Sequence, residues 1–171
     1  MPRRKMIGVM GSGQDDHSDL AVPLGRWIAA QGYDLLTGGG QGVMAAVSKA
    51  FYDVPGRHGS VVGIVPAGRA PGLYPNPWVE VAVFTHLAGA DGPAAADSRN
   101  HINVLSSDVI VALPGGEGTL SEIDLAVRYS KSVIAYWPGK SPQSKLRHVP
   151  VARELKDVQN FVCHTLETSR V

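Results

Sequence analysis

One stretch constrains the fold more than any other. The apolar run Asp108 to Leu113 leads straight into Pro114-Gly115-Gly116-Glu117-Gly118-Thr119-Leu120-Ser121-Glu122, and an amphipathic helix is predicted from Gly118 to Ser130. A strand that enters a glycine loop and leaves as a helix is the unit from which open α/β sheets are built. The same order occurs twice earlier in the chain. Met6 to Met10 ends at Gly11-Ser12-Gly13, before a helix with Leu20, Leu24, Trp27 and Ile28 on one face that closes at Gly32. Pro23 fits that helix if it begins near Asp19 or Leu20. Tyr33 to Thr37 ends at Gly38-Gly39-Gly40-Gln41-Gly42, before a helix with Val43, Ala46, Val47 and Ala50 inward.

Ser60 to Val65, Val79 to Phe84 and Ser132 to Trp137 complete six expected strands. Pro66 to Pro77 reads as a surface loop, and residues 86 to 96 as a mobile loop feeding a helix that starts near Asp97. After the irregular segment Pro138 to Pro150, Val151, Leu155, Val158, Val162 and Leu166 recur at helical spacing, which predicts a last helix over about 151–166 packed on the sheet or on a partner subunit. The expected fold is therefore α/β: one Rossmann-like, doubly wound, mainly parallel sheet flanked by helices, with its core over about 6–137. Such sheets bind ligands at the carboxyl ends of their strands, where all three glycine loops fall.

Composition narrows the partners. The 171 residues carry a formal net charge of +1, so no bulk field draws the chain to nucleic acid or to an anionic membrane. No apolar run approaches the roughly 18 residues of a transmembrane helix, and no secretory leader is evident. A cytoplasmic location is expected. The six histidines show no metal-ligand spacing and Cys163 is the only cysteine, so neither a metal site nor a disulfide is expected; Cys163 reads as a core filler.

Glycines let an anion approach backbone N–H groups, a helix N-terminus adds partial positive charge, and the Thr119 hydroxyl adds a donor. Pro114 to Thr119 is accordingly a phosphate cradle. It is no Walker loop, because no Gly-Lys-Ser/Thr closes it. Asp16 stands where the third glycine of a dinucleotide fingerprint belongs, which argues against NAD chemistry. Glu122 can reach back over the cradle. There a carboxylate would repel phosphate and suits a ribose hydroxyl pair or a sugar carbon gaining positive charge, although acidic residues also stabilise helix N-termini without touching a ligand. Arg99, at the start of the preceding helix, could give bidentate contacts to phosphate. His101 is near enough in sequence to line the pocket, Trp27 reads as core, and Trp78 and Trp137 as flanking the pocket or a subunit contact.

The segment Ser98-Arg99-Asn100 through Pro114-Gly-Gly-Glu-Gly-Thr-Leu-Ser-Glu122 resembles the LOG (LONELY GUY) superfamily, once labelled lysine decarboxylases. Gly38 to Gly42 with Val43-Met44 looks like that family's second glycine loop, and Gly11-Ser12 like its first. The resemblance implies a homodimer, or a higher homo-oligomer, that cleaves the N-glycosidic bond of an AMP-like nucleoside 5′-monophosphate without a cofactor. It implies Arg99 and Glu122 as the catalytic pair and the glycine loops as the phosphate site. Decarboxylation would want pyridoxal phosphate on a lysine, and neither Lys49 nor Lys131 stands in such a setting. Asn100 departs from the enzymes' Arg-Lys pair, and Asn103 stands where they tend to carry methionine. With Ser106-Ser107-Asp108, these residues look closer to a sister branch that includes molybdenum cofactor carrier proteins, which bind a pterin phosphate without hydrolysing it.

Overall fold

The computed structural model describes residues 3–68, 72–88, 98–139 and 146–168. Seven strands form one sheet in the order β4-β3-β2-β1-β5-β6-β7, and every pairing is parallel. They are β1 (Met6–Met10), β2 (Asp34–Thr37), β3 (Val61–Val65), β4 (Val81–Phe84), β5 (Val109–Ala112), β6 (Val133–Tyr136) and β7 (Val151–Ala152). The helices are α1 (Ser18–Ala30), α2 (Val43–Tyr52), α3 (Asn100–Ser106), α4 (Glu117–Arg128) and α5 (Leu155–Thr168). The expected doubly wound α/β fold is the observed one.

The near-continuous apolar runs of the central strands follow from burial on both faces. Along β5, Val109 and Val111 turn to a core shared with α1, α2 and α5, while Ile110 and Ala112 turn to a second core shared with α3 and α4. In β1, Ile7 and Val9 join the first core and Met10 the second. Chain order reverses about β1, since β2 and β5 lie on its two sides, and the loops leaving β1 and β5 open a crevice between them.

Some boundaries differ from expectation. The last helix starts at Leu155, because Val151–Ala152 adds a seventh, two-residue strand to β6; Val158, Val162 and Leu166 are the positions it buries. Periodicity alone cannot separate Val151, which is exposed in β7, from the helix that follows. At the other end α1 starts at Ser18, so Pro23 sits one or two residues further in than expected. Helix α3 begins at Asn100. Asp97 lies outside the described residues, as does the expected mobile loop apart from residues 86–88.

Candidate functional site

The crevice is a cavity of about 850 Å³, within the range that takes a nucleotide-sized ligand. Its wall beside β5 is Pro114 to Thr119. Gly116 is the N-cap of α4 in extended conformation, and no side chain caps the helix, so its first turn presents N–H groups without intrahelical acceptors toward the cavity. A Cβ on Gly115 would stand 2.1 Å from the Thr119 hydroxyl and 2.9 Å from the Ser12 amide nitrogen. Only glycine lets the Thr119 side chain and the Ser12 backbone come this close to the loop. Gly118, expected as the first residue of the helix, lies in the first turn of α4, which starts one residue earlier at Glu117.

Ser12 holds the loops together. Its amide donates to the Pro114 carbonyl at 3.1 Å and its carbonyl accepts from Val43 N–H at 2.9 Å. Its hydroxyl accepts from the amides of Gln14 and Asp15. Gly42, with φ of 62°, caps α2 against that same Ser12 carbonyl, which a Cβ would meet at 2.4 Å.

The second glycine loop behaves differently from expectation. Only Gly38 and Met44 from it line the cavity. The Gly39 carbonyl accepts from Asn76 N–H, the Gly40 carbonyl from Asn76 Nδ2, and the Gln41 amide donates to Leu73. Gly39, Gly40, Gly42 and Val43 thus shape the wall from behind. Tyr74, from the same clamping segment, lines the cavity together with Val9, Met10, Gly11, Ser12 and Gly13.

Arg99 and Glu122 both line the cavity and both are buried. The Arg99 guanidinium is anchored through one nitrogen: Nη1 donates to the carbonyls of Gly38 and Ile64, and the Tyr74 ring centre lies 5.9 Å from Cζ. Glu122 is 7% exposed and accepts a 2.8 Å hydrogen bond on Oε1 from Nδ2 of Asn103, which has no exposed surface. Burial pushes the Glu122 carboxyl above its ordinary range, while the charge of Arg99 and the Asn103 bond pull it back without cancelling the rise. Asn100 lines the cavity at 2% exposure.

His101 does not line the cavity; its Nδ1 pairs with the Tyr129 hydroxyl at 2.6 Å between α3 and α4. Trp137 lines it, whereas Trp78 borders a second cavity of about 580 Å³ with Lys49 5.9 Å from its ring centre. Lys49 pairs with Asp53, and Lys131 donates to the carbonyls of Leu105 and Ser107, so neither has a place in the main cavity. Gln14, Asp15 and His17 line it without any motif having marked them. Among the described residues no group of His, Cys, Asp and Glu gathers to hold a metal ion, and no helix is long and apolar enough to cross a membrane.

The sequence model of the SLOG cluster4 family matches residues 4–165. The chain belongs to the SLOG cluster4 family. It is 35% identical over 134 residues to a protein of Archaeoglobus fulgidus, covering 77% of this chain and 80% of that one. To the cytokinin riboside 5′-monophosphate phosphoribohydrolase LOG3 of Arabidopsis thaliana it is 37% identical over 125 residues, which is 70% of this chain and 53% of the plant enzyme. The chain thus spans about half that enzyme's length. Among solved structures, the molybdenum cofactor binding protein of Rippkaea orientalis is 32% identical with a TM-score of 0.79, covering 97% of this chain and 99% of that one. The molybdenum cofactor carrier protein of Chlamydomonas reinhardtii is 29% identical with a TM-score of 0.76, over 96% and 99% of the two chains. The resemblance that the Pro-Gly-Gly motif suggested is therefore the family's.

Proposed function

We propose that the cavity binds a nucleoside 5′-monophosphate and hydrolyses its N-glycosidic bond to free base and ribose 5-phosphate. The observation that carries this reading is the common origin of cradle and carboxylate: the first turn of α4 walls the cavity at Gly116 to Thr119, and Glu122 enters the same cavity one turn on. A 5′-phosphate on the first-turn N–H groups would leave the ribose beside Glu122. As the C1′–N bond breaks, its electron pair leaves with the base and C1′ becomes oxocarbenium-like; a water oxygen then bonds to C1′, and its proton ends on the base. The buried carboxylate stabilises the charge at C1′, where exclusion of water strengthens its field. No cofactor enters this scheme. The named activity of the plant relatives supports it.

AMP and adenosine should behave differently with purified protein. Release of adenine from AMP, and little from adenosine at equal concentration, is the expected result. Equal rates would remove the cradle from the reaction, and release from neither would refute the hydrolase.

A second reading, carriage of a phosphate-bearing pterin such as the molybdenum cofactor, is favoured by Asn100, an amide buried in the cavity wall at the position of the enzymes' lysine. The carrier structures also match nearly the whole chain. Equilibrium dialysis against the cofactor, with retention and no AMP turnover, would select this reading.

A further inference from the structure

We propose that Asn103 is a positioning residue: its amide holds one oxygen of Glu122 so that the other faces the ligand, which must present a hydrogen-bond donor or a developing cation there. The ligand part of this statement rests on the function proposed above, while the positioning itself rests on the following geometry.

Asn103 sits at the centre of α3 and does not line the cavity, so it acts through Glu122 and not on the ligand. Its backbone is pinned at both ends. The amide N–H donates to the Arg99 carbonyl at 3.1 Å, and its carbonyl accepts from the Ser107 hydroxyl at 2.8 Å. That hydroxyl lies against β1, where a Cβ on Gly8 would meet it at 2.1 Å. Arg99, in turn, is tied to the backbone of Gly38 and Ile64. Helix α3 is thereby fixed to the sheet, and it delivers Nδ2 to α4 at 2.8 Å from Glu122 Oε1.

Packing does not explain an amide in this place. Oδ1 is buried and finds no hydrogen-bond partner, so half of the side chain's polar capacity goes unused. Among the described residues, the side-chain bond that Asn103 makes is the one to Glu122. Its direction carries chemical information, because an N–H donor favours the ionised carboxylate, whereas a rotated amide presenting Oδ1 would suit only the protonated acid.

The other charged or titratable groups about Glu122 are Arg99 at the start of α3, Glu117 on its own helix, Asp15 and His17 after β1, and Tyr74 beside Arg99. On the face of α4 that meets α3, His101 and Tyr129 pair with each other. Asn103 is the residue that touches the carboxylate.

Carbon-13 NMR titration of the glutamate carboxyls in wild type, Asn103→Leu and Asn103→Asp, with Glu122→Gln to assign the signal, tests the proposal. In Asn103→Leu the Glu122 midpoint should rise by about one pH unit or more, a tenfold weaker acid. In Asn103→Asp, which keeps the shape and carries the test if the leucine variant does not fold, the carboxyl pair should take up its first proton at higher pH than Glu122 does alone. The acid limb of AMP hydrolysis should move with the NMR midpoint. A shifted midpoint with no AMP hydrolysis in any variant would uphold the positioning and sink the hydrolase reading. A Glu122 midpoint within about 0.3 pH units of wild type in the folded variants would overturn the proposal, since a purely structural asparagine leaves the titration in place.

Discussion

Arg99 donates through Nη1 to the carbonyl of Gly38, 61 residues earlier, and through the same nitrogen to that of Ile64. The guanidinium thus ties the start of α3 to the ends of β2 and β3, and it flanks the cavity as a strut whose charge also reaches Glu122. An arginine held in this way contributes to stability whether or not a ligand is present. Arg99→Lys keeps the charge but loses the planar fork, and it should destabilise the fold by about 2 kcal/mol. Thermal unfolding of the ligand-free protein measures this. An unchanged midpoint would show that the arginine serves only the ligand.

Gly115→Ala places a methyl group where the Thr119 hydroxyl and the Ser12 amide converge. Either the first turn of α4 shifts or the β1 loop does, and both carry the cradle. We expect a loss in AMP affinity of about tenfold or more, about 1.4 kcal/mol, read by calorimetry. Gly116→Ala, where the added methyl meets nothing within 4 Å and φ is already negative, should retain most of the affinity. If the two variants weakened binding alike, close approach at Gly115 would not be the cause.

Glu122 imposes a cost on the fold that follows from its burial. Its folded pKa lies above the unfolded value, so the native state holds the proton more tightly, and stability falls as pH rises from the unfolded pKa through the folded one. Glu122→Gln removes the charge, keeps an acceptor for Asn103, and should raise the stability at neutral pH by about 1 kcal/mol while abolishing catalysis. The gain should vanish in acid, below both pKa values. Chemical denaturation of both proteins at pH 4 and pH 7.5 checks the sign; a variant less stable than wild type at neutral pH would contradict it.

Asp108 responds to pH in the opposite sense. Burial raises its pKa, but the hydrogen bond and charge of Arg3, the Met6 N–H and the charge of Lys5 outweigh burial and hold it below the usual value. Its contribution is present above the unfolded pKa and is lost as pH falls through the folded one. Because Arg3 is largely exposed and solvent screens that pair, the bond to the Met6 amide at the start of β1 dominates. Asp108→Asn should cost about 1 kcal/mol at pH 7. Unfolding in 0.5 M salt should change that loss little, and a loss that disappeared in salt would assign it to Arg3 instead.

The alternation of strands, loops and helices was legible because buried parallel strands are apolar throughout, and a helix restores a period near 3.6 on leaving each glycine loop. Val151 was misplaced because an edge strand of two residues has no period to detect. At the site, Pro114 to Thr119 announced itself by composition, and Glu122 by its place one turn into α4. Gly39 and Gly40 misled, since glycine marks close backbone approach without saying to what, and here it is to Asn76. Asn103 was visible only as a departure from the enzymes' pattern. Its bond to Glu122 depends on how α3 packs on α4, which no local pattern records. Gln14, Asp15 and His17 carry no motif, and they reach the cavity because the β1 loop folds back over Ser12.

The most direct measurement is the yield of free base and ribose 5-phosphate from AMP, quantified together for wild type and Glu122→Gln at neutral pH. Equimolar release by wild type and a loss of about a hundredfold or more in the variant are the expected results, in line with removing a carboxylate that stabilises a developing charge. Undiminished release by Glu122→Gln, or no release by wild-type protein that binds AMP, would contradict the proposed function.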